Sequence, residues 1–351
     1  MGFLTVRKVR LVGYAVFWVI IIIILTFTKA PRNHEIDNST LRNKFNKNTT
    51  NRYLIYTCRK TCAGFANRIR GIITVFLLAK RTNRIFGISE ESKCGLTTFL
   101  KPASYDWRIN AEDLKGLSSV YHDTIIMEKT GTGDYYKNRN DFVQNLEEDV
   151  VFLQTNQKPH ISNYSETIKG IFEELFVFDP DIVHELKAFK ETSMENDKTV
   201  CAHIRVGSNP GFSDIHSNNI GSISAIWEFL SQYDIDGYVI YVASDSNDVR
   251  ESAKRRFPKR FIDLTGPVIH IDESEDDSVC SGFRKATMDF LFLSQCNVLL
   301  LTYSSFGSTA SILRGNKDHQ YCFQNGQVLP CTEYNLKWQR TSQNELPLDD
   351  V

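Results

Sequence analysis

The chain has 351 residues, 42% hydrophobic and 24% charged, the balance of a folded globular protein with length enough for two domains of ordinary size. Its 41 basic and 42 acidic residues leave a formal net charge of -1. That charge gives no whole-molecule field for a nucleic-acid partner, so any anion binding must be local.

Residues 1–10, MGFLTVRKVR, are basic, and residues 11–28, LVGYAVFWVIIIIILTFT, carry no charge. At ~1.5 Å per residue the apolar run reaches roughly 27 Å, a transmembrane signal anchor suited to a thin, early secretory bilayer. A cleaved signal peptide is the alternative, but it would carry an apolar run of only ~7–15 residues and a small-x-small cleavage site. Beyond the run lie three N-glycosylation patterns, at Asn38-Ser-Thr, Asn48-Thr-Thr and Asn163-Tyr-Ser. Eight cysteines fit an oxidising lumen, although Cys201 and Cys296 fall in apolar segments and read as buried thiols. The expectation is a single-pass type II protein of the Golgi or ER membrane, with a short cytosolic tail and its bulk in the lumen. Residues 29–51 are polar and Asn-rich, without periodicity, and read as a stem.

A first Rossmann-like domain is expected over residues 52–197. YLIYTC is a strand, Gly64 a turn, and the next helix runs from about Asn67 to Arg81 with Ile69, Ile72, Ile73, Phe76 and Leu77 on one face. NRIFGI is the following strand. This βαβ order places Asn67 and Arg68 at a helix N-terminus beyond a strand's carboxyl end, where ligands and anions are favoured. Further on, VVFLQT reads as a strand and SETIKGIFEELF and DPDIVHELKAFKE as helices, the last starting at Pro180.

A second domain is expected over residues 198–335, before a polar tail at 336–351. TVCAHIRV, GYVIYVAS, PVIHI and NVLLLTY are strands. They alternate with helices in SISAIWEFLSQY, SNDVRESAKRRF, FRKATMDFLFLSQC and SSFGSTASILRG, the last ending at Gly315. Nearly continuous apolar strands between helices predict a buried parallel sheet. CFQNGQVLPC carries an Asn-Gly turn and reads as a hairpin that brings Cys322 and Cys331 close enough to bridge.

Polar groups collect where such a sheet binds ligands, outside the carboxyl ends of its strands. His203 and Arg205 end one strand, Ser244 and Asp245 another, and Thr302, Ser304 and Ser305 lead from a third into a helix. Arg205 offers a fork for two phosphate oxygens, the turn at Ser304 a helix N-terminus for another, and Asp245 an acceptor for ribose hydroxyls or a base edge. The plainer readings are a core imidazole for His203, helix caps for Ser304 and Ser305, and a local ion pair with Arg284 or Lys285 for Asp289. The acidic run DESEDDS reads as a solvated loop, and no His/Cys cluster stands at metal-ligand spacing.

HIRVGSN resembles the His-x-Arg-x-Gly motif of protein O-fucosyltransferases and the His-x-Arg-Arg motif of alpha-1,6- and alpha-1,2-fucosyltransferases. CAGFANRIRGIITVFLLAKRTNR, YVASDS and MDFLFLSQCNVLLLTYSSFGSTAS are similar to further blocks of that superfamily, in the same order, over roughly Tyr53 to Gly315. The resemblance implies an α/β, GT-B-like fold of two Rossmann-like domains facing a cleft. It also implies inverting transfer of fucose from GDP-fucose to a glycan or glycoprotein acceptor, with no metal required. Carried over by motif, Arg205 and the turn of Ser304, Ser305 and Phe306 would hold the diphosphate. His203, Asp245 and Asp289 would hold ribose and guanine. Gly64 would shape the turn from which Asn67 reaches the reacting centre, with Arg68 or Arg70 adding positive charge. Val206 stands where the Arg-Arg form has its second Arg, so the motif fixes no linkage. Asp214, Asp106 and Glu90 are candidates for the base. A luminal sulfotransferase would need a Gly-x-x-Gly-Lys loop that CAGFANRIRG lacks, and a non-enzymatic sugar-nucleotide or glycan binder would have no use for Asn67 and Arg205 together.

Overall fold

The computed structural model describes residues 51–59, 62–91, 94–123, 143, 146–156, 158–159, 161, 163–194, 197–207, 223–269 and 278–332. The apolar run at 11–28, the stem, Asn38, Asn48, Asp214 and the tail at 336–351 lie outside them. Among the described residues no helix is long and apolar enough to cross a membrane.

Strand β1 (Tyr53–Cys58) is buried at every position, as an apolar strand covered on both faces must be. It leads through helix α1 (Phe65–Arg81) to the parallel strand β2 (Ile85–Glu90), which completes the expected βαβ unit. The helix begins two residues ahead of Asn67, because the Gly64 carbonyl already accepts from the Asn67 and Arg68 amides at 2.9 and 3.1 Å. Asn67 therefore sits in the first turn. After the short helix α2 (Leu96–Phe99) come β3 (Leu100–Pro102), β4 (Ser119–Asp123), β5 (Val150–Gln154), α3 (Tyr164–Leu175), β6 (Phe176–Phe178) and α4 (Pro180–Ser193). The first sheet is parallel in the order β2-β1-β5-β4, and β3 pairs with β6 in a small antiparallel ribbon. Helix α4 starts as its sequence specifies, with Asp179 accepting from the Asp181 amide and Pro180 in the first turn.

The second half runs β7 (Lys198–Ile204), α5 (Ser224–Ser231), β8 (Tyr238–Ser244), α6 (Asn247–Arg256), β9 (Phe261–Ile262), α7 (Ser278–Leu293), β10 (Val298–Leu301) and α8 (Ser305–Arg314). The hairpin of β11 (Gln320–Gln324) and β12 (Gln327–Pro330) follows. Its sheet order is β12-β11-β10-β7-β8-β9, with only β12 antiparallel to its neighbour. Asn325 and Gly326, at φ 50° and 81°, make the tight turn that the Asn-Gly pair predicts. The edge strand beside β8 is Phe261–Ile262 and not the expected PVIHI, whose residues 267–269 carry no strand. Pro267 has no amide hydrogen to give a ladder, and Gly266 ahead of it turns the chain at φ 138°.

One apolar core passes beneath both halves: Phe65 of α1 lies 5.6, 4.9 and 5.7 Å, ring centre to ring centre, from Phe283 and Phe290 of α7 and Phe306 of α8. A second cluster, with Trp227 and Val249, fills the other face of the larger sheet. Four disulfides pair all eight cysteines: Cys58–Cys62, Cys94–Cys280, Cys201–Cys296 and Cys322–Cys331. The hairpin bridge is the expected one. Cys201 and Cys296 are not thiols, because the turn from α7 into β10 sets Cys296 with its Cα 6.1 Å from that of Cys201 on the adjoining β7.

Gly71 marks where α1 rests on the end of β5. A Cβ there would stand 1.9 Å from the Thr155 carbonyl oxygen, a backbone atom that cannot swing aside. Gly71→Ala is expected to cost about 1–3 kcal/mol as overpacking, read as a lower urea midpoint with an unchanged slope.

Candidate functional site

The larger sheet changes direction between β7 and β10: from β7 the chain builds outward through β8 and β9, then returns to the other side with β10. Ligands bind at such a switch point, beyond the strands' carboxyl ends. A cavity of about 410 Å³ opens there. The nine residues expected to hold the donor or reach the reacting centre line it: Gly64 and Asn67 from α1 and its entry, His203 and Arg205 at the end of β7, Asp245 just after β8, Asp289 from α7, and Ser304, Ser305 and Phe306 from the opening of α8. Lys285, Tyr303 and the apolar stretch Pro267–Ile269 complete much of the wall, and sequence reading gave none of these a role at the site.

Arg205 follows the end of β7, its amide held by Thr302 Oγ1 at 2.8 Å and its Nη1 donating to Asp245 Oδ2 at 2.8 Å. Asp245 also accepts from the Val206 amide at 2.7 Å and the Gly207 amide at 3.0 Å. Gly207 takes φ 72°, which fits the absence of a side chain. Expected to face a ribose, the Asp245 carboxylate is occupied here with shaping the turn and aiming the guanidinium. Arg205 lines the cavity and is 29% exposed, and its planar guanidinium is the shape that pairs with two oxygens of an anion.

Asp289 is also committed. Lys285 Nζ donates to its two oxygens at 2.8 and 2.7 Å, and the Tyr241 hydroxyl donates to Oδ1. Burial raises its pKa, while Lys285 and Tyr241 pull it back down. Of the two partners expected for a local ion pair, Lys285 is the one found, and Arg284 pairs with Glu185.

His203 is 5% exposed and stacks on the Phe306 ring at 5.4 Å, and its Nδ1 is buried without a hydrogen-bond partner. Gly307 permits this, since a Cβ there would meet Nδ1 at 2.8 Å. Burial, with the Arg205 charge adding to it and Asp245 opposing, pushes the imidazole pKa from 6.5 down to about 4. The folded form therefore holds His203 neutral where the unfolded chain protonates it. The stability this gives is complete above pH 6.5 and is lost as pH falls toward 4. Between pH 7 and 4.5 the loss is expected to be about 2 kcal/mol, and His203→Gln should remove that share of the acid sensitivity in urea melts at the two pH values.

The turn into α1 differs from its sequence reading in one detail. Ala63, not Gly64, takes the left-handed conformation, at φ 65°, and a Cβ on Gly64 would meet nothing within 4 Å. Arg68 turns back to the Ala63 carbonyl at 2.9 Å and lies over the Phe283 ring. Arg70 crosses to the second half, donating to Ser305 Oγ at 2.6 Å and Ser308 Oγ at 3.2 Å. Among the proposed bases, Glu90 has its side chain enclosed and accepts from the Thr97 amide and hydroxyl at 2.9 and 3.1 Å, while Asp106 pairs with Arg108 at 2.8 Å. Neither lines the cavity. Among the described residues no three His, Cys, Asp or Glu side chains stand where they could hold a metal ion.

At α8 the Ser304 hydroxyl accepts from the Phe306 amide at 3.1 Å, and Ser305 and Phe306 of the first turn line the cavity at this helix N-terminus. Together with Arg205 this is a place for two adjoining anionic groups, beside a slot with apolar walls.

No family model and no curated protein matches the chain. Solved structures do. An Arabidopsis thaliana FUT1 mutant in complex with GDP superposes with a TM-score of 0.56 at 14% identity, over 81% of this chain and 73% of that one. The NodZ alpha-1,6-fucosyltransferase co-crystallised with GDP gives 0.55 at 14% identity, over 79% and 98%. POFUT1 in complex with GDP-fucose gives 0.52 at 10% identity, over 79% and 99%. The chain thus has the α/β fold of these proteins, as the four sequence blocks implied.

Proposed function

We propose that this protein is a fucosyltransferase superfamily enzyme that transfers fucose from GDP-fucose to a hydroxyl of a glycan or glycoprotein, with inversion and without a metal ion. One observation carries the reading. Nine residues from four separated sequence blocks converge on one cavity, at the switch point of a fold shared with proteins solved with GDP or GDP-fucose.

Cleavage of the bond between fucose and phosphate develops negative charge on the leaving diphosphate and positive character on the sugar. Arg205 and the N-terminus of α8 stabilise the diphosphate as that charge grows, where electrostatic preorganisation has most effect. Asn67, in the first turn of α1, offers a neutral amide to the sugar-phosphate linkage. Neutral His203 stacked on Phe306 and the apolar wall at Pro267–Ile269 give the nucleoside a dry, shaped seat. We further propose a membrane-anchored, luminal location, with residues 11–28 as the anchor; the four disulfides support an oxidising compartment.

The test uses the full chain purified in detergent. Calorimetry is expected to rank GDP and GDP-fucose above UDP and UDP-sugars, and release of GDP from GDP-fucose is expected to continue in EDTA. UDP ranked above GDP would sink the donor assignment. Turnover lost in chelator and restored by manganese would sink the metal-free chemistry.

A further inference from the structure

Arg70 has no part in the mechanism so far, yet its placement is costly. It is 4% exposed, and it donates to two neutral hydroxyls, Ser305 Oγ at 2.6 Å and Ser308 Oγ at 3.2 Å. Among the described residues no carboxylate pairs with it, and its Nε is buried without a partner. Burial lowers its pKa, opposed by the side chains of Tyr164 and Tyr303, that of Tyr164 also through a hydrogen bond. A buried guanidinium with no counter-charge is destabilising unless something anionic arrives.

The surroundings indicate where that anion would sit. Ser305 opens α8 and lines the cavity. Its oxygen accepts from Arg70, and its backbone carbonyl is fixed by the Ser308 hydroxyl at 3.1 Å. A serine hydroxyl that accepts from a cation still has its own proton to give, and that of Ser305 goes to no described group. The proton is also made a better donor by the charge behind it. On the other side, Arg70 lies one turn along α1 from Asn67, so both project from one face of one rigid helix.

We propose that Arg70 is a positioning residue that couples the donor diphosphate to α1: it is the buried counter-charge to the anion on the α8 turn, delivered through the Ser305 hydroxyl, and it thereby seats the helix that presents Asn67. The inference rests on the donor-site reading of the cavity. An occupied α8 turn adds an anion to the hydrogen bond that Ser305 and Arg70 already make, and so holds α1, and Asn67 with it, more firmly against α8. An empty turn leaves the cation unneutralised and α1 less firmly seated.

The test measures binding of inorganic pyrophosphate, GDP and guanosine to the full chain in detergent. Arg70→Gln is expected to weaken pyrophosphate and GDP by about tenfold, the scale of one charge-assisted hydrogen bond, and to leave guanosine within about twofold. Arg70→Lys should recover part of that loss. Ser305→Ala should show the same anion-selective loss, and adding Arg70→Gln to it should cost little more, because both act through one path. If Arg70→Gln does not fold, the Ser305→Ala result still decides: anion binding at wild-type strength overturns the proposal. Equal weakening of guanosine and pyrophosphate by Arg70→Gln, or additive losses in the double variant, would show Arg70 to be a structural bolt between the halves. Wild-type protein that bound neither pyrophosphate nor GDP would overturn the donor-site reading itself. Strong wild-type binding matched by Arg70→Gln would overturn only the part assigned to Arg70.

Discussion

In the proposed reaction, Arg205→Ala is expected to lower turnover by about 100-fold or more, the loss of about 2.7 kcal/mol of transition-state stabilisation, while the protein stays folded. The second half of that statement comes from Asp245. Its carboxylate has two backbone amides, Val206 and Gly207, besides Arg205, so removing the guanidinium does not strand it. The pair is also partly wet, at 29% and 20% exposure, which limits the ion pair itself to about 1 kcal/mol or less. Arg205→Lys keeps the charge and loses the fork, and should cost about tenfold in turnover. Melting curves with and without GDP separate the roles: an unchanged apo transition with the GDP-induced rise gone is the expected result. An apo transition that collapses, or a well-folded Arg205→Ala that turns over normally, removes Arg205 from the site.

Lys285→Met is expected to be the most damaging change to stability on the cavity wall, at about 3–5 kcal/mol. Lys285 is 4% exposed and Asp289 10%, and the ammonium contacts both carboxylate oxygens. Removing it leaves Asp289 in a dry site with the Tyr241 hydroxyl as its one remaining described partner. Replacing both partners should be far milder, because the cost lies in the uncompensated charge and not in the absence of the pair. Lys285→Met/Asp289→Leu is therefore expected to recover most of the loss in urea melts. A Lys285→Met protein as stable as wild type but unable to bind GDP would mean that the lysine serves the ligand and not the carboxylate.

These two sites show what the sequence made legible. Fully buried parallel strands are nearly continuous apolar runs, so β1, β5, β7, β8 and β10 stand out, and the helices between them carry their caps in view: Pro180, Ser304, Gly315. The strands β3, β4 and β6 do not stand out, since LKP, SVYHD and FVF are too short or too polar to make a buried apolar run and are specified by their partners across the ribbon or sheet. All nine site residues reach one cavity because the rule about carboxyl ends depends on topology, which the alternation of elements reveals. What each side chain touches was not legible. Asp245 and Asp289 were read as ligand groups, and Lys285 only as an ion-pair alternative. Arg70 could be seen only as a nearby charge, because its partners, Ser305 and Ser308, lie 235 and 238 positions away. The turn is read at Gly64 from its residue type, whereas the left-handed residue is Ala63, held between the Cys58–Cys62 bridge and the Arg68 contact to its carbonyl.

The bridge between Cys94 and Cys280 has a consequence during synthesis, before any ligand is met. Cys58 and Cys62 leave the ribosome four positions apart and can close at once, but Cys94 waits for a partner 186 positions behind it. At about 5–20 residues per second that wait lasts roughly 10–40 s. Cys201 emerges within it, ahead of both Cys280 and Cys296, so the first partner offered to Cys94 is a wrong one. Correct pairing therefore requires that Cys94 either stay a thiol or exchange partners until α7 has been made.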